Sequence, residues 1–294
     1  MLVELIIATI IIIFIELYYQ KSEVKENENN RMQQNEKIEN PKSKIKELTN
    51  LDLLVGEDYQ ITDKICIKHP KLSDILEIGE NTYNKYVSVL TMDTIHVADI
   101  LYETYGIWYE DISDWQLFLD NFNNEYLSTN TKIIHDALKY FTGLDFTIGV
   151  QESNNEPILF SRETGAFINE LIFKLISQFL KKINFMKDDE IYYQLKHAGS
   201  KGTAKYILKQ ISKKRKVEKS TVDLQSIVSS LLWKTGVGKE VFDYPIFAIY
   251  EGYSRLNAID NWDKTVTAYY AGTIDTEKSQ VNLDKINWSK ILIK

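Results

Sequence analysis

The chain has 294 residues, 44% of them hydrophobic, and a formal net charge of −7. That content supports a packed core and excludes global disorder, while the acidic balance disfavours nucleic-acid binding by the surface as a whole. A single cysteine, Cys66, excludes an internal disulfide framework and a cysteine-rich zinc site.

Residues 2–19 are nearly all apolar between and around Glu4 and Glu16, just enough for a membrane-spanning helix. No basic region precedes them and no small-residue cleavage site follows, so they do not read as a cleaved signal peptide. Lys21, Lys25 and Arg31 come after the run and would keep the bulk of the chain in the cytoplasm. Residues 21–46 are rich in Lys, Glu, Asn and Gln, which is a linker composition. Met32 lies within it, and a start there would give a protein without the span.

From Leu48 the pattern becomes globular. Alternating apolar residues around Tyr59-Gln60-Ile61 and Ile65-Cys66-Ile67 predict a β-hairpin with Cys66 as a buried structural thiol. Pro70 opens a helix carrying Leu72, Ile75 and Leu76, broken at Gly79, and Tyr83, Tyr86, Val87 and Leu90 mark the next. Asp93-Thr94 reads as the cap of a helix with Val97, Ala98, Ile100 and Leu101 inward, stopped by Gly106. Ser113-Asp114 caps a helix with Trp115, Phe118 and Phe122, and a further helix covers 131–141. Residues 146–150 and 157–160 predict a second hairpin. Phe167, Ile168, Leu171, Ile172, Leu175, Phe179 and Ile183 then make the apolar face of a long helix.

Ala204, Ile207, Leu208 and Ile211 predict an amphipathic helix whose other side carries Lys201, Lys205, Lys209 and Lys213. A helix starting at Ser220-Thr221 follows, then one from Pro245 through Ile259, a short one over 263–270 and a helical tail over 282–293. The fold class expected is α+β and predominantly helical, with two small hairpins behind the apolar N-terminal helix. The segments divide as 1–20 (apolar), 21–46 (linker), 47–145 (hairpin plus helices) and 146–294 (helices plus a hairpin).

Local chemistry is sparse. Thr235 to Glu240 resembles the end of a phosphate loop, but Trp233 and Glu240 stand where that loop needs glycine and Ser or Thr. A helix C-terminus running into a loop explains it. His96, Asp99 and Glu103 have metal-compatible helical spacing, which a solvated polar face explains equally. Asp188-Asp189-Glu190 fits the acidic first turn of a helix. No catalytic residue, metal ligand or cofactor is assigned, and no small-molecule substrate. The basic stretch 196–219 reads as a solvated face, a contact for an acidic protein, or a contact for phosphates, the last being the weakest for an acidic chain.

Three stretches resemble a known family. They are 65–75 (Ile65-Cys66-Ile67-Lys68-His69-Pro70) with Gly79 to Tyr83, 105–115 (Gly106-Ile107-Trp108-Tyr109-Glu110), and 249–256 (Tyr250-Glu251-Gly252-Tyr253) running to Trp262-Asp263 and Tyr270-Ala271-Gly272. They are similar to proteins from tail modules of bacteriophages and prophages of Gram-positive bacteria, taken as tail assembly chaperones. The resemblance implies a cytoplasmic, non-enzymatic protein whose partner is a tape-measure or other tail protein. Its groove is expected at Trp108, Trp115, Phe118 and Phe122, with Lys201, Lys205, Lys209 and Lys213 as further contacts. The alternative is a membrane-anchored bacterial protein, held by residues 2–19, with a cytoplasmic protein-binding domain.

Overall fold

The computed structural model describes residues 48–123, 128–151, 155–186, 190–217, 222–273 and 287–289. The apolar run, the linker and most of the expected tail helix lie outside the described residues. Among the described residues there are eleven α-helices and two small antiparallel sheets, one after the first helix and one after the sixth.

Helix α1 (Asn50–Val55) begins with a reciprocal cap between Thr49 and Asp52 and ends at Gly56 in the left-handed region. At φ +79° a side chain is disfavoured, and a Cβ there would also lie 2.8 Å from Pro245. Strands β1 (Tyr59–Gln60) and β2 (Cys66–Ile67) form the first hairpin, with Tyr59 opposite Ile67. Ile65 and Ile67 face inward, so the period of two turns Cys66 to the other, half-buried side. The cysteine is thus not a core thiol.

Helices α2 (Leu72–Ile78) and α3 (Glu80–Thr91) flank Gly79 as expected. Helix α4 (Ala98–Tyr105) starts later than its sequence cap suggests, because residues 94–97 form turns. One consequence is that Asp99 is buried and Ile100 exposed, the reverse of the amphipathic reading. Helices α5 (Asp114–Phe122) and α6 (Ser128–Thr142) follow, the first capped by Ser113 accepting from the Gln116 amide.

The second hairpin is part of a three-stranded sheet. Strand β3 (Thr147–Val150) pairs with β4 (Pro157–Phe160), and β4 pairs with β5 (Phe167–Ile168). Phe167 and Ile168, expected on a helix, are therefore strand residues. Asn169 caps α7 (Glu170–Ile183), and Leu171, assigned to its buried face, is exposed. Helices α8 (Glu190–Lys196), α9 (Lys201–Val217) and α10 (Leu224–Thr235) come next. Asp223 caps α10, while Ser220 and Thr221 lie outside the described residues. Gly236 ends α10 in the left-handed region, which accounts for the phosphate-loop-like glycines. After a 3₁₀ turn (Lys239–Asp243), one continuous helix, α11 (Ile246–Tyr270), replaces the two expected from Pro245 onward.

Two cores organise these elements. The first gathers residues from Leu53 to Ile249, so segments on both sides of residue 146 meet in it. Its ends are tied by backbone bonds: Leu72 donates to Tyr244 and Ile246 donates to Pro70. The Leu224 amide, an orphan at the start of α10, donates to Glu80 on α3. The second core is smaller and joins α4, the 106–112 loop, α8 and α9 through Ala98, Leu101, Trp108, Leu195, Ala204 and Leu208. Helix α5 stands between the two, turning Leu117 to the small core and Trp115, Phe118 and Phe122 to the large one.

Candidate interaction surface

The aromatic candidates divide between the cores. Phe118 stacks on Phe173 at 4.3 Å and on Trp115 at 5.8 Å, and Phe122 packs on His135 at 4.2 Å. The Trp115 indole donates to the Pro157 carbonyl, so even its polar edge is used. Trp108 lies in the other core, edge-on to Tyr102, with its indole donating to Glu110. All four rings are at most 8% exposed. A surface groove built from them is not open in this structure; they hold the helices in place. The spacing that marked them is the spacing of an apolar face, and that face packs inward.

The lysine stripe is on the outside. Burial of Ala204, Ile207, Leu208 and Ile211 leaves Lys201, Lys205, Lys209 and Lys213 on the solvent side of α9. The Lys201 ammonium sits 5.6 Å from the Trp108 ring centre, and Lys205 sits 5.4 Å from that of Tyr102. Each stem covers a small-core aromatic and leaves its charge at the surface. Tyr206, between them, is 65% exposed.

Between the cores lies a polar joint that the spacing analysis missed. Asp93 accepts from Lys181 of α7 at 2.5 Å and from the His96 amide at 2.8 Å, and His96 Nδ1 lies 2.6 Å from the same carboxylate. Burial alone would raise the Asp93 pKa, but His96 and Lys181 hold it well below the usual carboxylate range. The His96 ring packs on Tyr192 of α8 at 4.4 Å. The His96, Asp99 and Glu103 set is broken up by this geometry: His96 turns to Asp93, and Glu103 accepts from Ser212. Among the described residues, no group of three acidic, His or Cys side chains is placed to hold a metal, and no helix is long and apolar enough to cross a membrane.

The C-terminal helices carry the most exposed aromatic rings. Trp233 is 88% exposed and Tyr270 82%, with Tyr269 beside the latter. Helix α11 buries Ile246, Phe247 and Ile249 in the large core; beyond them none of its residues is fully buried. Its 25 residues extend about 37 Å at 1.5 Å per residue. Lys234 pairs with Asp260, and Arg255 bonds Glu251 on the same helix and the Trp288 carbonyl, so the ties lie in the middle of the helix.

Residues 213–292 are similar to the family described as the YomV second domain. The similarity points to a phage-derived protein. It begins in the last turn of α9 and takes in α10 and α11. No curated protein and no solved structure matches the chain.

Proposed function

We propose that the chain is a non-enzymatic interaction protein of phage tail morphogenesis, a chaperone that covers apolar helical surface on a tape-measure or other tail protein. A long helical partner that buries its apolar face only in the finished tail would aggregate if left bare. Cover must be temporary, so the affinity is modest and tail-tube subunits displace it.

The observation that carries this reading is the aromatic exposure of the C-terminal helices, where Trp233 and Tyr270 stand almost free of the fold. Tryptophan and tyrosine dominate the energetics of protein contacts, and leaving such rings in water has no folding benefit. They belong to the segment similar to the YomV second domain, which supports a phage setting for the contact.

Co-expression of the full chain with overlapping fragments of the long helical tail protein tests the proposal. A stoichiometric complex is expected, with fragments that precipitate when alone. Trp233→Ser should weaken it on the order of 10-fold, the effect of losing about 1.4 kcal/mol. Absence of any complex removes the proposal. The apolar run 2–19 favours a second reading, a membrane-anchored binding protein in the cytoplasm. Recovery of the full chain in the membrane fraction, together with no tail-protein complex, selects it.

A further inference from the structure

The geometry points to a second docking surface, independent of the tail-protein reading: the solvent face of α9 binds the phosphate backbone of duplex DNA. The small core is a three-helix group in which α8 and α9 are joined by four residues, His197 to Ser200, with Gly199 in the turn. The short turn and the packing of Ala204, Ile207 and Leu208 into that core fix α9 with one side inward. The other side faces solvent along the helix from Lys201 to Lys213. Here that face carries Lys201, Lys205, Lys209 and Lys213, which span about 18 Å along the axis.

Local charge separates this face from the rest of an acidic chain. Lys201 and Lys205 rest on neutral rings, so their stems are positioned while their charge stays available. The carboxylates bonded near this face, Glu103 and Glu110, accept from the Ser212 hydroxyl and the Trp108 indole, and keep their charge. Exposed Tyr206 adds a hydroxyl of the kind that binds phosphate oxygens. An acidic protein fits less well: cores of protein interfaces are depleted in lysine and built on apolar anchors, and Tyr206 is the one large apolar side chain on this stretch.

The test is fluorescence anisotropy of the full-length protein with a labelled random-sequence 20-base-pair duplex at 50 and 200 mM KCl. Neutralising four phosphates predicts an affinity loss of about 150-fold over that fourfold change in salt. Lys205→Gln, Lys209→Gln and Lys213→Gln together should cost at least 10-fold at 50 mM, with an unchanged circular dichroism spectrum. The surface pair Lys132→Gln and Lys174→Gln should change affinity less than twofold. No anisotropy change at 50 mM, wild-type binding by the triple variant, or equal competition by a polyglutamate peptide overturns the assignment, the last by showing a general site for acidic chains.

Discussion

The large and small cores solve the same problem with different means. The large core is closed by distant parts of the chain, with stacked rings at its centre and backbone bonds between residues 70–72 and 244–246. The small core has far fewer buried side chains, and two of its rings, Trp108 and Tyr102, lie under lysine side chains of α9. Leu117, the joint at Asp93 and the Thr94 amide, which donates to Asp114 on α5, tie it to the rest. Fewer buried contacts mean lower local stability, so the small core should open as a unit of its own.

Truncation in each core tests that division with the largest effects. Phe118, 1% exposed between Phe173 and Trp115, should cost about 4 kcal/mol of global stability as Phe118→Ala, read from urea unfolding. Leu208→Ala in the small core should leave the main unfolding transition nearly in place. Its signature is faster amide exchange confined to α4, α8 and α9. Uniformly faster exchange would show one cooperative unit and remove the distinction.

Acid should act on the large core first through His69. This side chain is 3% exposed and sits edge-on to Phe179. Burial pushes its pKa down to about 4, against the opposing pull of Asp58. Since the unfolded chain binds the proton near pH 6.5, stability is full above that value and falls as pH drops toward 4. The loss is at most roughly 3 kcal/mol, from 1.36 kcal/mol per unit. His69→Phe should flatten urea midpoints between pH 7 and pH 5; a slope equal to that of the wild type would show that another group titrates.

How much of this was legible in the sequence differs by region. Periodicity placed α2, α3, α5, α6, α9 and α10, and glycines marked the ends of α2, α4 and α10, because local sterics fix both; α1 was not read as a helix, its residues merging with the hairpin that follows. It missed β5, since Phe167-Ile168 followed by Asn169 has the apolar density of a helix face and only the partner strand β4 makes it a strand. It merged core with contact surface at Trp108, Trp115, Phe118 and Phe122, because an inward stripe and a binding stripe share one spacing. The lysine face of α9 was readable, as charge opposite an apolar stripe must face water. Aromatic exposure at Trp233 was not, because it depends on what lies across from α10.

The joint at Asp93 gives the smallest effect and the finest test of how the cores are linked. Asp93→Asn removes the charge that Lys181 and His96 share, which should cost about 2 kcal/mol, as for a hydrogen bond to a charged group. Because the folded pKa is depressed, the native carboxylate contributes fully above about pH 4 and its contribution fades as pH falls below that. Stability curves of wild type and Asp93→Asn should therefore be parallel from pH 5 to 8 and converge in stronger acid. If the joint holds the small core to the large one, the variant also exchanges amides faster in α8 and α9, where His96 meets Tyr192. Convergence in acid without that local change would mean that Asp93 stabilises the 92–97 turn alone, and that Asp114 and Leu117 on α5 carry the connection between the cores.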